Sequence, residues 1–166
     1  TPDPIDVQAL LAQMRDAGCE IYIMEVSAHA LDLRKLVGVQ FEEGIFTNFS
    51  QDHLDYFGTM EIYRKAKEKF FSDFYLKHAV VNADDEAAEH MLGRVDALTF
   101  GVSKPADAYA NDIEIHESGV SFLLSWRDLK LPLHLNISGI FNVYNAMAAA
   151  VACLEMGMKP EDVKAG

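Results

Sequence analysis

The sequence predicts an α/β fold: a mostly parallel sheet flanked by helices, with a small antiparallel strand extension. Two observations lead to this class. Over residues 4–101, short apolar runs alternate with helix-like segments, which is typical of parallel strands joined by helical crossovers. Residues 108–115 and 120–126 then flank a Ser118-Gly119 turn, and this arrangement predicts an antiparallel hairpin. Residues 131–137 are expected to add a third antiparallel strand.

The parallel part contains four predicted strands, each a short apolar run of the kind that is buried on both faces of a sheet. They are residues 21–24, 44–48, 79–82 and 97–101. Helices are expected at residues 4–18, 59–71 and 84–94, from residue 139 onward, and at 160–163. Thr59 is the expected N-cap of the second helix. Helical spacing places Ile62, Ala66 and Phe70 on its buried face and Glu68 on the opposite face.

Composition and charge restrict the function classes. The chain has 166 residues, 50% of them hydrophobic, and this length predicts a single domain with a full core. Its formal net charge of −12 disfavours binding to nucleic acid or to an anionic membrane. Cys19 and Cys153 are isolated thiols, which suit a reducing compartment. The first residues lack the basic and apolar regions of a targeting sequence, so a cytoplasmic protein is expected.

Three polar features lie where active sites of α/β sheets usually lie, near the carboxyl ends of strands. Glu25 directly follows the first predicted strand, and it either binds Mg²⁺ or begins a turn. His53 lies between two aspartates in a polar loop, and it is either a ligand or acid–base group, or part of a helix-capping loop. Lys67 lies at the border of the helix capped by Thr59. It either reaches solvent or is partly buried and reacts as a free amine.

Common nucleotide-binding and metal-binding motifs are absent from the sequence. No Gly-Lys dipeptide occurs, so there is no GxxxxGK[ST] phosphate loop. There is also no GxGxxG after a strand and no GxSxG elbow. The six histidines form neither HExxH nor another close zinc-binding set.

Four segments resemble motifs of the Mur ligase family, in the same order along the chain. Residues 25–31 are similar to EVSSHAL, residues 47–58 to TNLSxDHLDYHG, residues 63–67 to YxxAK, and residues 139–146 to GxFNVYNA. These segments extend over nearly the whole chain. The chain is therefore identified as a member of this family, from its central ATP-binding domain.

The resemblance implies roles for individual residues. Glu25 and His53 match the family's Mg²⁺ ligands, and Lys67 matches the lysine whose carbamate helps to hold a second Mg²⁺. The other matches concern the substrates: Thr1, Ser27 and Lys35 for the UDP-muramoyl-peptide, and Asn142 and Asn145 for the adenine of ATP. The chain departs from the family pattern at Ala28, where a second serine is usual. It also departs at Lys35, where many members have an arginine; lysine keeps the charge but loses the bidentate geometry.

The activity that the resemblance implies is ATP-dependent amide-bond formation in peptidoglycan precursor synthesis. A carboxylate of UDP-N-acetylmuramoyl-L-alanyl-D-glutamate attacks the γ-phosphate of ATP, and the incoming amino acid then displaces phosphate from the acyl phosphate. Mg²⁺ and ATP are the expected cofactor and co-substrate, and the expected partners are small molecules. The oligomeric state and the identity of the amino acid, lysine or diaminopimelate, stay open.

The resemblance also predicts that residues 1–166 are a fragment of the central domain. The phosphate loop, an N-terminal UDP-binding domain and a C-terminal ligase domain would then lie outside it, and the chain alone is expected to be inactive. Two alternatives stay open: a ligase similar to folylpolyglutamate synthetase, and a non-catalytic module that binds a nucleotide or a partner. The missing phosphate loop favours the second alternative, whereas the combination of Glu25, His53 and Lys67 disfavours it.

Overall fold

Six strands form one sheet, and their order across the sheet follows their order along the chain. The structure is a computed structural model that describes residues 1–72, 75–93 and 95–166. The strands are β1 (Phe41–Phe46), β2 (Leu76–Asn82), β3 (Asp96–Gly101), β4 (Ala108–His116), β5 (Gly119–Trp126) and β6 (Leu129–Leu135). Strands β1 to β4 pair in parallel and β4 to β6 pair antiparallel. The predicted parallel sheet with an antiparallel extension is confirmed.

Helices accompany the sheet throughout the described ranges. They are α1 (Pro4–Asp16), α2 (Ala28–Asp32), α3 (Leu54–Phe57), α4 (Met60–Glu68), α5 (Ala88–Met91), α6 (Ile140–Glu155) and α7 (Pro160–Ala165). Thr59 caps α4 as predicted, because its side chain accepts a hydrogen bond from the N–H of Ile62 at 3.3 Å. Within these ranges no helix has both the length and the apolar character needed to cross a bilayer.

The longest helix, α6, covers one face of the sheet. Val143, Met147 and Val151 form a fully buried stripe along it at four-residue spacing. A second apolar cluster lies on the other face and includes residues of α1, α2 and α5. Neighbouring residues of a strand point to opposite faces, so Val80 of β2 belongs to the first cluster and Val81 to the second. The middle of the sheet is therefore buried on both sides.

The strand predicted at residues 21–24 is not formed. The segment is irregular and pairs with none of the described strands, and Ile21 and Ile23 are 58% and 96% exposed. An apolar run becomes a strand only when a neighbouring strand bonds its backbone N–H and C=O groups. Residues 21–24 do not bond to the open outer edge of β1, so the sheet begins at β1 and Glu25 follows an unpaired segment.

Residues 84–94 contain a shorter helix than predicted. Only the 4 residues of α5 are helical, and Arg94, the predicted end, lies outside the described residues. At the predicted start, the carboxylates of Asp84 and Asp85 accept hydrogen bonds from backbone N–H groups of other loops. These aspartates bond the backbone in a non-helical conformation, and this competes with helix formation.

The buried face of α4 also differs from the prediction. Ile62 is 53% exposed, whereas Tyr63 is buried. Glu68, expected on the exposed face, is buried and is the last residue of the helix, three residues before the predicted end. The reason is that α4 packs against α2 and α3 through Tyr63 and Ala66, which rotates its inner face away from Ile62. Lys67 is half-buried at the edge of this face, as its border position predicts.

Candidate functional site

The carboxyl ends of β1, β2 and β3 lie at one edge of the sheet, because the three strands are parallel and in register. We call it the carboxyl edge. Buried Asn82, the last residue of β2, joins the loops at this edge. Its side-chain amide donates a hydrogen bond to the backbone oxygen of Thr47 at 2.8 Å, and its side-chain oxygen accepts one from the N–H of Asp84 at 3.0 Å. The loops after β1 and β2 are thereby held together.

Lys67 lies on α4, where the charges of three carboxylates act on it. It is half-buried, and its Nζ lies 5.4 Å from the centre of the Tyr63 ring. Burial lowers the pKa of Lys67 below its ordinary value of 10.5. The negative charges of Asp52, Asp85 and Glu25 act in the opposite direction without cancelling this effect. Lys67 is thus a half-buried lysine on which three acidic side chains act electrostatically.

His53 lies beside the same tyrosine. Its ring centre is 5.8 Å from that of Tyr63 and 4.8 Å from that of His29, with both contacts edge-on. The carboxylate of Asp52 accepts a hydrogen bond from the backbone N–H of His53 at 2.7 Å and lies 3.5 Å from its Nε2. The backbone of His53 is in the left-handed conformation, with φ of 54°. His53 and Lys67 therefore flank one aromatic ring.

Thr1, Ser27 and Lys35, the residues matched to the UDP-muramoyl-peptide, have contacts with Glu25, with α2 and with the N-terminal segment, respectively. The hydroxyl of Thr1 donates a hydrogen bond to the backbone oxygen of Glu25 at 3.2 Å. Ser27 caps α2, because its side chain accepts a hydrogen bond from the N–H of Ala30 at 3.2 Å. Lys35 forms an ion pair of 2.8 Å with Asp3, two residues after Thr1. The structure thus brings Thr1 close to Glu25 and ties Lys35 to the same N-terminal segment.

Asn142 and Asn145 lie on the first turns of α6. The side-chain amide of Asn142 donates a hydrogen bond to the backbone oxygen of Ser138 at 2.9 Å, and Asn145 is exposed. Tyr144, next to Asn145, donates its hydroxyl hydrogen to Asp84 at 2.8 Å. The two asparagines are therefore joined to the carboxyl edge through Tyr144 rather than through contacts of their own with the group around Lys67.

Two aspartates that the sequence reasoning missed connect these parts. Asp85 accepts hydrogen bonds from the N–H of Phe49 at 2.7 Å and of Ala87 at 2.8 Å, and its charge acts on Lys67. Asp84 bonds Tyr144 and the loop that follows β3. The available signal was their position two and three residues after the end of β2, at the same edge of the sheet as the polar loop that follows β1. The prediction of a helix from residue 84 placed both aspartates in its first turn, and this concealed the signal.

The donor set at this edge suits a hard cation. Among the described residues, no three His, Cys, Asp or Glu side chains are close enough to form a complete metal cage. Mg²⁺ does not need one, because it takes one or two carboxylates and completes its shell with water and phosphate oxygens. The charges of Glu25, Asp52 and Asp85 around Lys67 favour positive charge here. In donor type and in charge, the residues fit Mg²⁺.

Comparisons with known proteins agree on one family. The sequence profile of the Mur ligase middle domain matches residues 1–153. The chain belongs to the Mur ligase family. The UDP-N-acetylmuramoyl-L-alanyl-D-glutamate--2,6-diaminopimelate ligase of Parabacteroides distasonis is 40% identical over 98% of this Mur ligase chain. The ligase 1 of the same name from Clostridium acetobutylicum is 39% identical over 100% of it.

Solved structures show the same fold. A UDP-N-acetylmuramoyl-L-alanyl-D-glutamate--2,6-diaminopimelate ligase matches 99% of the Mur ligase chain with a TM-score of 0.91 at 30% identity, and this chain covers 35% of it. MurF from Acinetobacter baumannii matches 74% of the chain with a TM-score of 0.64 at 25% identity, with 27% of MurF covered. The chain spans about a third of the two curated relatives, 33% and 34%. The match thus establishes the family and the fold of this part.

Proposed function

We propose that this chain is part of an ATP-dependent ligase of peptidoglycan precursor synthesis, which adds an amino acid to UDP-N-acetylmuramoyl-L-alanyl-D-glutamate. The observation that carries the proposal is the 40% identity, over 98% of the chain, to a protein named as the 2,6-diaminopimelate ligase for this substrate. The grouping of Lys67, His53 and acidic side chains supports it chemically. The free thiols of Cys19 and Cys153 agree with a reaction in the cytoplasm.

The reaction requires two anions to approach each other. A bond forms between an oxygen of the substrate carboxylate and the γ-phosphorus of ATP, while the bond from that phosphorus to ADP breaks. The product is an acyl phosphate. The amino group of the incoming amino acid then bonds to the acyl carbon, phosphate leaves, and the nitrogen loses a proton. Positive charge between the reacting groups lowers the barrier to the first step, because it offsets their repulsion.

We assign Glu25, His53 and Lys67 to hold Mg²⁺, which supplies positive charge at the transferring phosphoryl group. Lys67 suits carbamate formation, in which its neutral nitrogen bonds to the carbon of CO₂ and a proton is lost. Burial lowers the pKa of Lys67, so more of its amine is uncharged than on a surface lysine. The carbamate converts a cation into an anionic oxygen ligand. The carboxylates of Asp52 and Asp85 keep the surroundings favourable to the metal.

The remaining assignments concern substrate binding. Thr1, Ser27 and Lys35 are proposed to contact the UDP-muramoyl-peptide. The bond from Thr1 to Glu25 and the ion pair of Lys35 with Asp3 support a common ligand for Thr1 and Lys35. Asn142 and Asn145 are proposed to contact the adenine. Both carry amide groups that donate and accept hydrogen bonds, as recognition of a base edge requires.

The test compares two lysine variants in the full-length ligase. Lys65 is the matched control for Lys67, because it lies on the same helix but is exposed and pairs with Glu61 at 2.6 Å. We expect the wild type and Lys65→Ala to join diaminopimelate or lysine to UDP-muramoyl-dipeptide with hydrolysis of ATP to ADP. Lys67→Ala is expected to lose about a hundredfold or more of this activity, and acetate, a short carboxylic acid, should restore part of it. A wild type that makes no product, or a fully active Lys67→Ala variant, would overturn the proposal.

A further inference from the structure

We infer that Asp84 is a positioning residue for the nucleotide side of the site, acting through Tyr144 by fixing the first turns of α6. The inference rests on the proposed function, because it takes Asn142 and Asn145 of α6 as the contacts of the adenine. Among the described residues, no hydrogen bond joins Asp84 to Asn142, whose side chain bonds Ser138, or to Asn145. Asp84 instead fixes the position of the start of α6, the helix that carries both asparagines, relative to the carboxyl edge.

The carboxylate of Asp84 joins three segments of the chain. Asp84 itself follows β2. It accepts hydrogen bonds from the backbone N–H groups of Val102 at 2.7 Å, Ser103 at 3.0 Å and Lys104 at 2.7 Å, all in the connection between β3 and β4. It also accepts the hydroxyl hydrogen of Tyr144 on α6 at 2.8 Å. One side chain therefore holds the end of β2, the β3–β4 connection and α6 together.

The bonds to Asp84 are of the strong, charge-assisted kind. Burial on its own would raise the pKa of Asp84, but the backbone donors and the hydroxyl of Tyr144 outweigh it, so the pKa lies below its ordinary value of 3.8. The carboxylate is therefore ionised at neutral pH, and hydrogen bonds to an ionised acceptor are about twice as strong as neutral ones. The packing is close as well, because a Cβ at Gly101 would lie 3.3 Å from both carboxylate oxygens.

The bond from Tyr144 restrains α6 in a way that its apolar stripe does not. Val143, Met147 and Val151 hold the helix against the sheet, but apolar contacts are not directional. The hydroxyl bond to Asp84 has a direction and lies near the start of the helix, beside Asn145. The bond therefore fixes two properties of the turns that carry the asparagines: their rotation about the axis of α6 and their position along that axis.

The consequence is a defect in ATP binding when the bond is lost. Asp84 and Tyr144 are assigned no contact with the transferring phosphoryl group, so their loss should weaken binding equally in the ground state and in the transition state. Such a change raises KM and leaves kcat nearly unchanged. A merely structural role would instead lower the amount of active enzyme, and so kcat, for all substrates alike.

The test uses steady-state kinetics and calorimetric titration with ATP on the full-length ligase. The variants are Tyr144→Phe, Asp84→Asn and the control Asp107→Asn. Asp107 also anchors the β3–β4 connection, through bonds of 2.8 Å and 2.6 Å from the N–H and the hydroxyl of Thr99, but these bonds do not involve α6. We expect Tyr144→Phe and Asp84→Asn to raise KM and Kd for ATP about tenfold. Their kcat and their KM for the UDP-muramoyl-peptide should stay within about twofold, and Asp107→Asn should match the wild type.

Tyr144→Phe keeps the ring and so preserves the packing of α6, which makes it the deciding variant. An unchanged Kd for ATP in Tyr144→Phe would overturn the inference. A rise in the Kd for ATP of Asp107→Asn as large as that of Tyr144→Phe would also overturn it. A wild type that binds ATP but forms no ligation product would refute the proposed reaction alone, because the titrations of the three variants still decide the role of Asp84.

Discussion

Replacing Glu43 by glutamine is expected to stabilise the domain above pH 7 and to have a much smaller effect near pH 5. Glu43 lies on β1 opposite His78 of β2, at a cavity of about 250 Å³ that is also lined by Arg127 and Glu155. Its Oε1 is buried without a hydrogen-bond partner among the described residues. Burial raises the pKa of Glu43 from 4.5 to about 7, although the charge of His78 acts in the opposite direction.

The magnitude follows from the two pKa values. The unfolded chain releases this proton near pH 4.5 and the folded chain near pH 7, so the free energy of unfolding falls as the pH rises through this interval. The interval of about 2.5 pH units, at about 1.4 kcal/mol per unit, sets an upper limit of about 3.5 kcal/mol. Glu43 is only half-buried, so we expect about 2 kcal/mol after screening by solvent. Glutamine has no proton to release and avoids this loss.

The assay is urea denaturation of the 166-residue chain at pH 8 and at pH 5. Glu43→Gln should raise the free energy of unfolding by about 2 kcal/mol at pH 8 and by about a quarter of that at pH 5. Glu42→Gln is the control, because Glu42 is the exposed neighbour on β1 and pairs with Lys77 at 2.7 Å; it should show little difference between the two pH values. An equal stabilisation by Glu43→Gln at both pH values would refute the reasoning, since it would not come from ionisation.

Three further predictions concern stability and activity. Thr59→Ala removes the cap of α4 and should lower the free energy of unfolding by about 1 kcal/mol in urea, whereas Thr59→Ser should not. Met147→Ala leaves a cavity under α6, where Met147 is fully buried, and should cost about 3 kcal/mol in the same assay; Met158→Ala, at a residue 40% exposed, should cost little. The isolated chain should release no phosphate from ATP in the presence of Mg²⁺, UDP-muramoyl-dipeptide and amino acids, because its sequence lacks a phosphate loop. Phosphate release at about 1 s⁻¹ would contradict this last prediction.

Elements with strong local signals were predictable. The stripe of Val143, Met147 and Val151 predicts α6, and the alternating segments around Ser118 predict the β4–β5 hairpin; both are confirmed. The segment at residues 21–24 shows the limit of such reasoning. Its apolar run is as strong as that of β2, but a strand also requires a partner that is distant in sequence, and local composition carries no information about it.

For the candidate site, residue types were easier to predict than connections. The polar density around His53 and the border position of Lys67 identified two residues that the structure brings to one aromatic ring. Asp84 and Asp85 were missed because their partners lie far along the chain, at Phe49 and at Tyr144. A carboxylate that bonds a distant backbone looks in sequence like one that begins a helix. Only the fold distinguishes the two.

The outer side of β1 makes the isolated chain prone to self-association. β1 pairs with β2 on one side and with none of the described strands on the other, so unpaired N–H and C=O groups face outward beside Ile45, which is 42% exposed. Ile21 and Ile23 add further exposed apolar surface. Such an edge recruits strands from other molecules. The mean molar mass of the purified chain, measured by light scattering, should therefore rise with its concentration. Any segment of a longer protein that covers β1 would act as a safeguard against aggregation.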